Sequence, residues 1–295
     1  MIHISFENEA GRLFLSGGQE AVFRTLSVAG LGLPTKEFNV TSYAGQRGQE
    51  TLSEVDRLRV ITVSGDASRA LQKELSRMTR ILYYPGMLKI QSGNKRRRIA
   101  CRCTSLDDPE RIGPFARFVI QFTCDDPLFN DFEDTVEPVY ERNNHLYGNI
   151  ANSAWDTNGK LAFSTRLSGA DLLNKGDSPC EPVFTVTNNE PLAWPDGTGL
   201  RIKNVTTGQK LELEYTLAKG ESVTLDVRER RITSSNGDNL INFISKETFL
   251  SDFTLARGMN RIEAENYGYA SSTAVSQKKM LVECRFNNNY IEAVY

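Results

Sequence analysis

The side chains most often recruited for catalysis are scarce in this chain. Only two histidines, His3 and His145, occur in 295 residues, and neither stands in a recognisable catalytic frame. A histidine-based triad or a multi-histidine metal site therefore has almost no material. Both are read as ordinary surface or sheet residues. Cys101 and Cys103 fall on one face of a strand and Cys124 could reach them across a sheet, an arrangement that would offer thiolates to zinc. The C-x-C spacing has no second matching pair, so small buried cysteines are the favoured reading. The carboxylates Asp107, Asp108, Glu110, Asp125, Asp126, Asp131 and Glu133 could supply the acid and base of a glycosidase, but no motif flanks them and carboxylates are common in turns. The stretch from Asp125 to Glu133 lacks the central glycine of a calcium loop. Gly30-Leu31-Gly32 lacks the third glycine and the following helix of a dinucleotide fingerprint. The expectation is a protein without catalytic residues, metal or cofactor.

Two features could bind rather than react. Lys95-Arg96-Arg97-Arg98 is a run of four cations, able in principle to meet phosphate. It lies at or beside a hairpin tip, with no Gly-rich cradle and no helix N-terminus behind it, and solvated side chains are the plainer reading. Trp194, next to the turn Pro195-Asp196-Gly197, could stack on a sugar ring of a host-surface glycan. Packing in a core or an interface is favoured for it.

The elements that must position these residues are mostly strands. Ile2, Ile4 and Phe6 alternate with polar residues, a period of two. Further strands are expected over 58–63, 87–91, 98–104 and 115–122, the middle two joined by Ser92-Gly93-Asn94-Lys95, a hairpin signal. One segment departs from this pattern. Leu71, Leu75, Met78 and Leu82 recur at three- and four-residue spacing behind Asp66, a candidate N-cap, and Pro85-Gly86 follows. The spacing predicts one amphipathic helix over 67–84 whose apolar stripe covers a sheet. From 131 to 177 the chain is first acidic and then rich in Asn, Gly and Ser, which reads as an interdomain connection with one strand over 161–167. Beyond it, short β runs separated by Asp196-Gly197, Thr207-Gly208, Lys219-Gly220, Asn236-Gly237 and Arg257-Gly258 indicate an antiparallel sandwich. The division expected is 1–135 and 136–295.

Bulk properties agree with a protein of modest surface potential. Hydrophobic residues make up 39% and charged residues 24%, with 35 Lys and Arg against 37 Asp and Glu. The net charge of -2 gives no global attraction to nucleic acid or anionic membrane. No segment approaches the roughly 20 apolar residues of a membrane span, and no basic region leads into an apolar core at the N-terminus. Five cysteines are an odd, sparse set for a secreted disulfide framework. A soluble chain made in the cytosol, with no membrane insertion, is the expectation.

Taken in order, these segments resemble the distal tail protein family of long-tailed phages. The resemblance is carried in the first half by Leu31-Gly32-Leu33-Pro34, Gly45-Gln46-Arg47-Gly48, Arg59-Val60-Ile61-Thr62-Val63-Ser64-Gly65, the helix, the hairpin with Arg98-Ile99-Ala100-Cys101, and the run from Phe118 to Pro127. In the second half it is carried by Asn174-Lys175-Gly176-Asp177, the run from Ile202 to Gly208, Leu225-Asp226-Val227, the run from Asn236 to Leu240, and the run from Leu255 to Asn260. The resemblance implies a mainly β fold: an N-terminal β-sandwich with one helix and a β-hairpin belt, then a galectin-like antiparallel sandwich. It also implies a homohexameric ring at the virion tail tip, assembled in the bacterial cytoplasm. Its partners would be the major tail tube protein, a tail-associated tip protein and the tape measure protein. A ring needs two complementary surfaces on each copy. Leu82, Tyr83 and Tyr84, with the hairpin cations Lys95, Arg96, Arg97 and Arg98, are the expected contact residues within 67–103.

Overall fold

A computed structural model describes residues 2–16, 22–45, 47–68, 71–107, 110–112, 115–146, 162–167, 169–190, 192–268, 273–274 and 280–294. The chain divides into two compact units, Met1–Phe132 with Asn289–Tyr295, and Glu133–Asn288. The expected boundary at 135/136 thus falls three residues past the observed division, and the last residues pack with the first unit.

The first unit contains β1 (Ile2–Asn8), β2 (Gly11–Phe14), β3 (Phe23–Ala29), β4 (Lys36–Thr41), β5 (Glu50–Asp56), β6 (Arg59–Ser68), α1 (Leu71–Leu82), β7 (Gly86–Ser92), β8 (Lys95–Leu106), β9 (Glu110–Ile112), β10 (Phe115–Cys124) and β11 (Phe129–Asp131). Its main sheet runs β2-β1-β7-β8-β10-β6-β3, with β9 on β10. Long strand β8 joins two halves: Lys95 to Cys101 pair with β7, and Arg102 to Leu106 pair with β10. The sheet folds over on itself there. Phe6 of β1 and Phe122 of β10, separated by two strands along the sheet, stack with ring centroids 5.3 Å apart. This is how a strand that changes partners makes the corner of a sandwich. The period of two explains the core. Ala116, Phe118, Ile120, Phe122 and Cys124 are buried on one face of β10 while their neighbours are not.

Helix α1 packs Met78, Ile81 and Leu82 into this core, as an apolar stripe requires. It is shorter than expected. Asp66 is no N-cap but lies in β6 opposite Arg117, whose Nε is 3.6 Å from its carboxylate. Strand pairing carries β6 on to Ser68, so ladder hydrogen bonds outcompete an earlier helix start. The β7–β8 hairpin does not project: β7 is flanked by β1, and β8 by β10 and β11.

The second unit contains β12 (Thr135–Leu146), β13 (Ala162–Leu167), β14 (Gly169–Asn174), β15 (Val183–Asn188), β16 (Thr198–Asn204), β17 (Gln209–Leu213), β18 (Ser222–Asp226), β19 (Arg231–Ser234), β20 (Gly258–Gly268), β21 (Thr273–Ala274) and β22 (Met280–Phe286). Two antiparallel sheets, β13-β12-β22-β15-β18-β19 and β14-β20-β16-β17, enclose its core, with Phe184 and Phe253 meeting edge to face at 5.4 Å. The segment expected to be a connection is built into these sheets as β12, β13 and β14. Pro138 concealed β12. It sits where the register against β22 shifts, a bulge that tolerates a missing N–H and breaks the alternation.

The chain then returns to the first unit as β23 (Asn289–Tyr290), which pairs with β11. Nothing in its short polar sequence marks it as a strand.

Candidate assembly interface

The first unit carries a two-stranded ribbon, β4 and β5, that pairs with no other strand among the described residues. All seven residues of β5 are exposed. Lys36 and Glu54 meet at 2.9 Å, and Arg57 grips Glu37 through two contacts, at 2.9 and 2.5 Å. These pairs sit at the root and hold the guanidinium and carboxylate charged, raising the Arg57 pKa and lowering that of Glu37. Further out Phe38, Val40, Tyr43, Leu52 and Val55 are exposed. Phe38 pairs with Glu54 and Glu37 with Val55, so Phe38 and Val55 point to opposite faces. A ribbon with no core of its own is marginally stable in water, and one with apolar side chains on both faces gains by being covered.

Arg59 fixes the root of this arm, and sequence reasoning missed it. Only 2% exposed, its guanidinium donates to the carbonyls of Pro127 (2.6 Å), Gly30 (2.7 Å), Gly32 (2.6 Å) and Ile291 (2.8 Å) and lies 4.5 Å from the centroid of Phe129. Burial pulls its pKa down. The carbonyls satisfy the donors, which makes a buried cation tolerable without a carboxylate. The loop it grips leads straight into β4. Gly30, at φ +87°, lets that loop pass so close that a Cβ would fall 2.1 Å from the Val60 carbonyl oxygen. An arginine opening a strand carries no sequence signal of such a role; the nearest clue is Gly30-Leu31-Gly32.

The contact residues expected from the sequence separate into two places. At the C-terminal end of α1, Leu82 is 4% exposed and belongs to the core, whereas Tyr83 and Tyr84 are 81% and 52% exposed, their rings edge to face at 5.2 Å. Asn8 Nδ2 donates to the carbonyls of Ile81 (2.7 Å) and Tyr84 (3.1 Å), satisfying the helix end. Beside it opens a cavity of about 730 Å³ lined by Glu7 to Ala10 and Tyr84 to Met87. At the other place, the β7–β8 turn, Ser92 pairs with Lys95 around Gly93-Asn94. Lys95 Nζ lies 3.2 Å from Glu292 and Arg96 is exposed. Arg97 and Arg98 are half-buried, a departure from the solvated tip. Arg97 Nη1 donates to Asp131 at 2.7 Å, and its guanidinium lies 3.4 Å from the centroid of Tyr290. It ties β8 to β11 and β23.

The candidates for chemistry lie elsewhere. Cys101 and Cys124 are buried in the first core and Cys103 is half-buried. The hydrogen bond between Cys101 and Cys124, and then burial, push the Cys101 thiol well up. His3 is on β1 and His145 on β12. Asp125 meets Arg102 at 2.6 Å, and Asp131 is engaged by Arg97. Asp108 lies outside the described residues. Among the described residues no three His, Cys, Asp or Glu side chains cluster as metal ligands. Trp194 is 2% exposed in the second core, so its indole offers no face to a sugar. No helix among the described residues is long and apolar enough to cross a membrane.

Comparison with known proteins adds to this geometry. Residues 175–279 match the family described as siphovirus-type tail component, C-terminal domain. Among solved structures, the Dit protein of phage SPP1, described as a paradigm of the hub adsorption apparatus in phages infecting Gram-positive bacteria, is similar over 98% of this chain and 99% of its own, with a TM-score of 0.65 at 13% identity. A chain of the phage P2 baseplate in its activated conformation is similar over 98% of each chain, with a TM-score of 0.51 at 11% identity. No curated protein sequence matches. Residues 175–279 thus match a domain of siphovirus-type tail components, and the chain as a whole shares the fold of the SPP1 Dit protein. The C-terminal domain match and the end-to-end fold likeness both support the distal tail protein family.

Proposed function

We propose that this chain forms a hexameric ring at the tip of a phage tail, a non-catalytic hub between the major tail tube protein and the tail-associated tip protein. The ring's channel passes the tape measure protein and DNA. The observation that carries this reading is the β4–β5 arm, a projecting ribbon with exposed apolar side chains on both faces and no third strand. In a closed heterologous ring each copy gives one surface and receives another, and an arm covered by its neighbour satisfies that requirement. The likeness to a hub protein and to a baseplate chain supports the same reading.

The test is removal of the arm. Replacing residues 38–53 by a short Gly-Ser turn keeps the root ion pair of Glu37 with Arg57 and leaves the sandwich strands untouched. Electron microscopy and sedimentation are expected to show rings for the whole protein and single copies for the shortened one, with the same thermal transition for the sandwich. Rings that persist without the arm would remove this reading. A glycan-binding role for the second unit gains no support from Trp194, whose ring is enclosed by the core.

A further inference from the structure

The two groups of exposed residues that flank the β1–β7 ladder differ in charge and sit at its opposite ends. The ladder runs from Ile2 opposite Ser92 to Glu7 opposite Met87, about 17 Å at the usual rise per residue. One end carries the turn with Lys95 and Arg96. The other opens on the cavity with Glu7, Glu9, Tyr84 and Met87, and Tyr83 stands beside it.

Their chemistry is complementary. Arg96 is exposed and has no ion-pair partner among the described residues, and the same is true of Glu9. Glu7 is already engaged by Lys89 at 2.8 Å and by Arg12, whose hydrogen bonds together hold its carboxyl below the usual carboxylate range. The free negative charge at the cavity is therefore that of Glu9. Tyr83 and Tyr84 add two exposed phenol rings, and a guanidinium is drawn both to a carboxylate and to an aromatic face. Within this chain arginines already use such faces: Arg97 on Tyr290, Arg59 on Phe129 and Arg201 on Tyr267. Arg96 and the tyrosine pair are the unmatched members. A turn cannot reach the far end of its own ladder, so one copy cannot satisfy both.

We infer that Arg96, beside the β7–β8 turn of one copy, reaches the cavity lined by Tyr84 on the next, meeting Glu9, Tyr83 and Tyr84 there. The inference rests on the ring reading and names a second contact of that ring, separate from the arm. The contact is head to tail, uses two different surfaces of each copy, and so propagates round a ring. Because both charges are exposed, it is sensitive to ionic strength.

The experiment is charge reversal in the full chain: Glu9→Arg, Arg96→Glu and the two combined, followed by sedimentation over a concentration series at low and moderate salt. Both positions are exposed, so folding is preserved and is checked by thermal unfolding. Each single reversal is expected to weaken self-association by about tenfold or more, and the combined variant to recover to within about threefold of the original. Tyr84→Ala is expected to weaken it without rescue by either reversal. If the original chain forms rings that lose assembly without the arm, yet neither reversal changes them, or the combination fails to recover, this contact is discarded and the ring stands. If the original chain stays single at every concentration, the ring reading falls and the contact with it.

Discussion

Arg59 shows how one residue can hold several segments together. Its guanidinium joins the loop before the arm, the exit from β10 and the returning C-terminal segment. Lysine in its place would keep the charge but lose the planar fork that reaches four carbonyls. Arg59→Lys is expected to cost about 2–4 kcal/mol, measured by urea unfolding. The cysteines give a second prediction. Burial pushes the Cys180 thiol up to about 12 and that of Cys284 well above the ordinary value, and Cys101 is raised by its bond to Cys124. Since the thiolate is the reactive form, a thiol reagent at pH 8 is expected to leave the buried cysteines untouched until the chain is unfolded. The reading of these cysteines as small core residues came from spacing alone and agrees with their positions. Arg59 could not be found that way, because its role is set by four carbonyls from distant parts of the chain.

At the scale of elements, the outer face of β16, β17 and β20 carries a charged ladder. Arg201 meets Glu212 at 2.5 Å and Glu265 at 3.1 Å, and Lys203 meets Glu265 at 3.0 Å. Burial alone would raise the Glu265 carboxyl, but the hydrogen bonds from Lys203 and Arg201 outweigh it and hold its pKa below the ordinary 4.5. A carboxylate with a depressed folded-state pKa stabilises the fold above its unfolded value and loses that contribution as pH falls through the folded value. The second unit is therefore expected to weaken as pH drops below about 4.5, and Glu265→Gln to flatten that dependence in a pH series of thermal unfolding. Elements with clean periodicity, such as β1, β10 and the apolar stripe of α1, were legible in the sequence. Those whose pattern is interrupted were not: β12 hides behind Pro138, and β4 and β5 have no buried face from which a period could arise.

For the whole molecule, the second unit is an insertion within the first. In the first unit, Asn130 pairs with Asn289; in the second, Thr135 pairs with Phe286. Each unit thus has its two open ends on neighbouring antiparallel strands, a spacing that a two-residue turn can close. Removing residues 133–288 and joining 132 to 289 through Asn-Gly, which makes a four-residue loop between the paired Asn130 and Asn289, is expected to leave a folded first unit. Ending the chain at 132 is expected to lower its thermal midpoint, because β23 and one acceptor of Arg59 go with the deletion. Calorimetry of the two shortened proteins checks both. This nesting was beyond the reach of sequence, since β23 is two residues long and its meaning lies in what it pairs with.

The double crossing between units also sets how the protein responds to proteolytic nicking. A protease that severs the chain at 132/133 leaves the second unit joined to the C-terminal segment, whose β23 residue Tyr290 bonds Asp131 and whose Ala293 N–H, beyond β23, reaches the Leu31 carbonyl at 3.0 Å. A cut at 288/289 leaves the other covalent strand whole. Either cut alone leaves the two units covalently joined, and only both together would break the chain between them.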